Sequence, residues 1–266
     1  MAGIKIKSDD ELKLMRPAGV VAAKVLDDIT AFIKPGVTTR QVDNFAAERI
    51  KSYGGVSAFL GYRVAGRKYP CYTCLSVNEG VVHGLASERV LNFGDIVSVD
   101  VGVVYNGFIG DTARTVAVGG CSVAAQRLLD VTEQSLYLGI AQARAGNRVI
   151  DISIAVQKHV EDNGFSVVRD FVGHGVGRTM HEEPQVPNFD DGGGKKNSPK
   201  LKAGMTIAIE PMVNAGRPSI KILNDGWTVV TEDGSLSAHF EHTVLITDGE
   251  PEILTWAKTP FVSPLA

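Results

Sequence analysis

Apolar residues open the chain at helical spacing and later alternate at strand spacing, so the pattern predicts both kinds of element. Ser8-Asp9-Asp10-Glu11 has the form of a capping box, and Leu12, Met15, Val21, Val25 and Ile29 follow at roughly helical intervals, with Pro17 expected to kink that helix before it ends near Lys34-Pro35-Gly36. A second helix is predicted over Thr38 to Tyr53, closed by Gly54-Gly55. Another spans Val123 to Arg144, and a fourth runs from Val149 to Asp162 and is closed by Gly164. Alternation predicts strands at Cys74 to Val77, Asp95 to Tyr105, Ile109 to Val118, Met205 to Val213 and Ala238 to Ile246. Asn188 to Lys200, with Gly192-Gly193-Gly194-Lys195-Lys196 at its centre, reads as a mobile surface loop.

These elements recur as a block. Leu91-Asn92-Phe93-Gly94 and the strand ending at Asp100 match Leu201-Lys202-Ala203-Gly204 and the strand ending at Glu210, an offset of 110 residues. The same offset sets Gly36 on Gly146, Val42 on Ile152, Ile50 on Val160 and Gly54 on Gly164. Two copies of so long a unit do not make a solenoid, which needs several short repeats. The pattern predicts one α+β body of duplicated halves, roughly 36–118 and 146–246, related by a pseudo-two-fold axis, with carboxylates of both halves meeting between them.

Composition adds limits. A chain of 266 residues with 44% hydrophobic and 21% charged residues can bury a sizeable core, and it is read as a single domain. A net charge of −3 argues against nucleic acid as the main partner. No apolar run reaches the roughly 18 residues a membrane span needs, and Met1 to Asp10 is polar, so a cytoplasmic location is expected. Cys71, Cys74 and Cys121 are too few for a disulfide framework. Cys71-Tyr72-Thr73-Cys74 has half-zinc-site spacing without a second half, leaving a buried apolar role as the default.

The candidate chemistry lies in the strands. Asn106-Gly107 is a hairpin turn that sets Asp100 opposite Ala113 and Asp111 opposite Gly102, so both carboxylates project from one side as diagonal neighbours. Two such charges are costly unless a cation or a shared proton neutralises them, although an aspartate beside glycine also commonly caps a turn. Gly173-His174-Gly175 sets glycines on both sides of a histidine, which allows unusual dihedrals and close approach, while a structural loop histidine is the plainer reading. Glu210 and Glu241 occupy apolar strands where an unpaired carboxylate is expensive, unless Glu241 lies on a solvent-facing edge. Asp100, Asp111, His174, Glu210 and Glu241 together make an oxygen-rich donor set with one nitrogen. Divalent Mn, Fe, Co or Zn can use it, and it favours a two-metal hydrolytic site. No Gly-x-Ser-x-Gly elbow is present.

With these residues in order, the chain resembles the bacterial type I methionine aminopeptidases of the pita-bread creatinase and prolidase superfamily. The resemblance runs from about Ser8 to Leu254 and rests on Ser76 to Gly84, Val99-Asp100, Gly110-Asp111-Thr112, Gly173-His174-Gly175, Glu210-Pro211-Met212 and Glu241-His242-Thr243. It implies a pita-bread fold, with an antiparallel-rich curved sheet covered by helices. It also implies a dinuclear centre held by the five ligands, with Asp111 and Glu241 bridging and Glu210 exchanging protons with a metal-bridging nucleophilic water. His83 and His181 would hold the scissile peptide. Tyr62, Tyr69, Cys74, Met180 and Trp227 would form the methionine pocket, with core packing the alternative for the aromatics. Backbone near Asn78, Gly80 and Ser237 would hold one Na or K ion. Met180 stands where many relatives have an aromatic residue, Gly102 where many have a hydroxyl, and Arg63 to Lys68 is several residues longer than in common relatives.

The activity so implied is hydrolysis of the initiator methionine from nascent chains and peptides whose second residue is small. The expected enzyme is a monomer whose partner is a free N-terminus, with transient ribosome association allowed and neither DNA nor membrane engaged. The competing readings are an aminopeptidase of altered first-residue choice and a non-catalytic binding protein of the same fold. Retention of all five ligands argues against the second.

Overall fold

The computed structural model describes residues 3–190 and 192–257. Helix α1 (Asp9–Phe32) starts at the capping box, where the Glu11 N–H donates to Ser8 Oγ at 3.3 Å and the Ser8 N–H to Glu11 Oε2 at 3.1 Å. It runs without a break through Pro17. Its buried stripe includes Met15, Ala18, Ala22, Val25 and Ile29, and Gly19 has no room for a side chain because the Leu254 carbonyl packs there. Helix α2 (Thr39–Ser52) is capped reciprocally by Thr38 and Gln41, α3 (Val123–Gln142) by Ser122, and α4 (Val149–Asp162) follows.

The predicted offset relates hydrogen bonds as well as residue types. Gly36 N–H donates to Leu91 O at 2.8 Å and Gly146 N–H to Leu201 O at 3.1 Å, while isolated bridges join Thr38 to Val90 and Arg148 to Lys200. Gly36, Gly54 and Gly94 and their counterparts Gly146, Gly164 and Gly204 all have positive φ, the left-handed backbone that glycine adopts without penalty.

Among the described residues the main sheet has nine strands, all paired antiparallel. Its spatial order is Val56–Ser57, Ile96–Tyr105, Phe108–Ala117, Glu241–Leu245, Thr206–Ile209, Gly173–Gly175 and Glu182–Val186, with Cys74–Val77 and Glu252–Ile253 paired alongside. Helices α1 and α2 share a core with Val97, Val99, Val101 and Val103, and α3 and α4 share another with Ile207, Ile209 and Val244. Each side chain so buried contributes roughly 1.5–3 kcal/mol. Strand Phe108–Ala117 pairs with Glu241–Leu245, with Glu241 facing Ala113 and His242 facing Thr112.

Two predicted strands are interrupted. Met205 to Val213 divides into Thr206–Ile209 and Met212–Asn214, and Ala238 to Ile246 into Ser237–His239 and Glu241–Leu245. Ile209 still pairs with His242 in the main sheet, whereas Met212 pairs with His239 in a separate three-stranded sheet. Both chains change sheet at one level, and Pro211, which has no N–H to give a ladder, marks the crossing. Glu210 sits at that junction, off the ladder. The loop expected at the surface is anchored at its start: Asn188 is fully buried and its side-chain amide donates to Glu210 O at 3.0 Å.

Candidate active site

Asn106 and Gly107 have φ of 52° and 75°, the mirror-image turn that matches strand twist, and they fix the hairpin in the predicted register. Asp100 faces Ala113 on one side and Cys74 on the other, and Asp111 faces Gly102. Thr243 holds the Asp111 backbone, accepting from its N–H at 3.1 Å and donating to its carbonyl at 2.8 Å. Glu241 is only 2% exposed on an interior strand, which removes the solvent-edge reading. His174 lies on Gly173–Gly175, and its glycines serve close approach. Neither has a left-handed φ, but a Cβ on Gly173 would strike the Ala208 carbonyl and one on Gly175 the Glu183 carbonyl.

The side chains converge. Single ligand atoms of Asp111, His174 and Glu241 lie within 4.8 Å of one another. His174 Nε2 is 3.7 Å from Asp111 Oδ2 and 3.5 Å from Glu210 Oε1. The ring's Nδ1 is 2.9 Å from Gly175 O, so the proton belongs there and the Nε2 lone pair faces the carboxylates. Asp100 Oδ1, Asp111 Oδ1 and Glu241 Oε1 are buried without a hydrogen-bond partner. Three carboxylates with unpartnered buried oxygens, with Glu210 and a histidine lone pair beside them, make a donor set that suits a divalent cation.

The electrostatics agree. Burial pushes the Asp100 carboxyl up to about 7, against a lowering hydrogen bond from Cys74. Asp111, Glu210 and Glu241 are pushed well above the usual carboxylate range by burial first and by the charges of their neighbours second. His174 is held down to about 4 by burial and by His181. A site that resists both proton loss from its acids and proton gain on its imidazole is waiting for a positive charge from outside.

The cluster forms the floor of a cavity of about 360 Å³. All five proposed ligands line it, as do His83, His181, Tyr62, Tyr69, Cys74, Met180 and Trp227. Trp227 meets Tyr69 edge-on with centroids 5.1 Å apart, and Tyr62 Oη lies 2.6 Å from His181 Nδ1. His83 has φ of 58°, a left-handed conformation uncommon away from glycine, held as the Gly80–Val82 strand ends. Asn78, Gly80 and Ser237 are not in the cavity wall; Ser237 N–H donates to Asn78 O at 2.9 Å.

Sequence reasoning missed Phe59, Phe171, Met212 and His239, which also line the cavity. His239 Nε2 is 3.7 Å from Glu210 Oε2. Strand alternation could not place it, because His239 and Glu241 lie on separate strands in different sheets.

Residues 13–248 match metallopeptidase family M24. The chain belongs to that family. It is 49% identical over 255 residues to a methionine aminopeptidase of Clostridium perfringens, covering 96% of this chain and all of the relative. With the methionine aminopeptidase of Escherichia coli K12 the identity is 45% over 257 residues, covering 96% and 95%. The crystal structure of a methionine aminopeptidase from Thermotoga maritima superposes with a TM-score of 0.90 at 45% identity, covering 95% of this chain and 99% of that one. Within M24 the chain falls among the bacterial type I methionine aminopeptidases, and its fold is the family's pita-bread fold. No helix among the described residues is long and apolar enough to cross a membrane.

Proposed function

We propose that this M24 metallopeptidase removes N-terminal methionine from peptides and nascent chains whose second residue is small. The observation that supports this best is one cavity with two chemistries. Its floor carries Asp100, Asp111, His174, Glu210 and Glu241, and its wall carries Tyr62, Tyr69, Cys74, Met180 and Trp227, a sulfur-and-aromatic lining suited to a thioether. Divalent ions held by those five side chains would polarise the scissile carbonyl and make water nucleophilic near neutral pH.

The chain's own groups do the rest. Glu210, set off the ladder at the floor, takes a proton from the attacking water and returns one to the leaving amine. His83 and His181 flank the floor as polar donors to the peptide and to the oxygen that gains charge. Tyr62 fixes the His181 ring through its Nδ1 contact, leaving Nε2 for substrate. The apolar wall excludes water and orients the first side chain.

The test is release of methionine from a Met-Ala-Ser peptide by metal-stripped protein, with and without Mn(II), repeated with Co(II), Fe(II) and Zn(II), and with Leu or Pro in place of Met. Metal-dependent release from the Met peptide is expected. Equal or better cleavage of the Leu peptide would replace methionine as the preferred residue, and no release with any metal would sink the reading.

A further inference from the structure

The cavity mouth carries a device that hydrolysis at the first peptide bond does not require. Arg63–Val64 and Arg67–Lys68 form a short hairpin turned at Ala65-Gly66, both with positive φ. Its base is pinned to two cavity residues, since Tyr69 N–H donates to Tyr62 O and Gly61 N–H to Tyr69 O, each at 2.8 Å. Val64 pairs with Arg67 and Arg63 with Lys68. Directly opposed residues share a face. Val64 lines the cavity, so Arg67 stands on the cavity side of the hairpin, and Arg63 and Lys68 stand on the other.

Arg67 also reaches the opposite rim. Its guanidinium fills the place where a Cβ on Gly226 would stand, next to Trp227 of the cavity wall. This arch of hairpin, guanidinium and the Gly226-Trp227 turn spans the mouth. All four hairpin residues are exposed, and Arg63, Arg67 and Lys68 enter no ion pair among the described residues. Asp225, the nearest acid in sequence, uses Oδ1 on the N–H groups of Trp227 and Thr228, both at 2.8 Å, and Oδ2 on the Thr228 hydroxyl at 2.6 Å. Arg63, Arg67 and Lys68 thus stand without an ion-pair partner among the described residues, and Asp225 is engaged by its own turn.

We infer that Arg67 recognises a carboxylate on the substrate beyond its second residue, and so biases the enzyme toward acidic chains at the cavity mouth. The inference rests on the peptidase reading, because the chain leaving the cavity is the uncleaved remainder of the substrate. A guanidinium held across the exit path presents a planar fork that a carboxylate meets with two hydrogen bonds, and it repels an ammonium group. The carboxylate has two sources: an acidic side chain at the third or fourth residue, or the free C-terminus of a short peptide.

The test compares kcat/KM for Met-Ala-Glu-Ser-amide, Met-Ala-Ser-Ser-amide and Met-Ala-Lys-Ser-amide, the same series with the charge at position four, and free-acid Met-Ala-Ser beside its amide. Metal-loaded wild type, Arg67→Glu and Arg63→Glu are assayed together at low salt. Wild type should favour Glu over Lys, or free acid over amide, by about two- to fivefold, the range for an exposed ion pair. Arg67→Glu should reverse the order, and 0.5 M salt should bring the ratio toward one. A Glu preference assigns the side chain, and a preference confined to the free acid assigns the C-terminus. A wild-type ratio of one at every position overturns the proposal. So does an unchanged ratio in Arg67→Glu, or an equal effect of Arg63→Glu, which would mark a diffuse field. Absence of release from the neutral amide overturns the peptidase reading, which the ratios alone do not touch.

Discussion

The terminal methyl of Met180 lies 2.7 Å from where a Cβ on Gly102 would stand, and Phe59 Cε1 lies at the same distance. Gly102 and Met180 thus share one volume: absence of a side chain at 102 gives Met180 and Phe59 their place in the cavity wall. Gly102→Ser should force both to yield, at about 1–3 kcal/mol for overpacking. It should also raise KM for a methionyl peptide, because the displaced atoms move in the wall of the pocket. Met180→Ala in the same chain should recover much of the loss, with a coupling of about 0.5–3 kcal/mol. Melting temperatures of the two single variants and the double variant check this. Strict additivity would show that the residues do not compete for space.

The buried carboxylates predict how metal-free protein responds to pH. Asp100, Asp111, Glu210 and Glu241 keep their protons in the folded state above the pH at which an unfolded chain loses them, with Asp100 at about 7. A raised carboxylate contributes stability that is complete below its unfolded value of about 4 and is lost as pH climbs through the folded value. His83, His174, His239 and His242 act oppositely: burial lowers each to about 3 or 4, so each destabilises the fold as pH falls below about 6.5. Between about pH 7.4 and 8 the histidines are largely neutral in both states, and the acids set most of the remaining slope. Chelated protein should lose about 1.4 kcal/mol per pH unit there for each proton the folded site still holds. Thermal unfolding at pH 7.4 and 8.0 with chelator or with Mn(II) is the measurement. Chelated Asp111→Asn should melt higher than chelated wild type at pH 8 while taking up less metal. A flat chelated profile would contradict the charge-repelled empty site.

Local chemistry made the hairpin legible. The Asn106-Gly107 turn sets its own register, and register alone puts Asp100 and Asp111 on one side. The capping box at Ser8 marked a helix start for the same reason, and the structure adds a second at Thr38. The strand interruptions were not legible as a pair. Pro211 marks one of them, but the break at Phe240 is imposed by a partner strand changing sheet, which no local pattern records. That crossing lifts Glu210 off the ladder and brings His239 to it, so what the sequence hid is how Glu210 reaches the floor rather than its presence there. The reach of Arg67 to Gly226 was hidden likewise, since it joins segments far apart in the chain.

Lys7 and Glu182 form a buried ion pair immediately behind His181. Lys7 Nζ lies 2.8 Å from Glu182 Oε2, with side chains 5% and 3% exposed, and Lys5 Nζ and the Thr179 hydroxyl meet Oε1 at 3.0 and 3.2 Å. The Lys7 N–H donates to Gly204 O at 2.8 Å, so the N-terminal segment clamps the segment carrying His181 to the second half of the molecule. Gly177 leaves room for this clamp, because a Cβ there would stand 2.8 Å from both Glu182 Oε1 and Lys7 Cε. Lys7→Met takes the buried partner from Glu182 Oε2 and leaves Oε1 with Lys5 and Thr179, so the cost should fall below the ~3–5 kcal/mol of a fully stranded buried carboxylate and lower the melting temperature by roughly 2–6 °C. Adding Glu182→Leu removes the half-paired charge and should return most of that loss. Turnover should follow a different course. The double variant restores the fold without the polar contacts to Thr179 and Lys5, so kcat for a methionyl peptide should stay depressed after stability has recovered. Melting curves and single-substrate kinetics on both variants separate the two effects. A double variant no more stable than Lys7→Met would show that the segment is held by packing rather than by the pair.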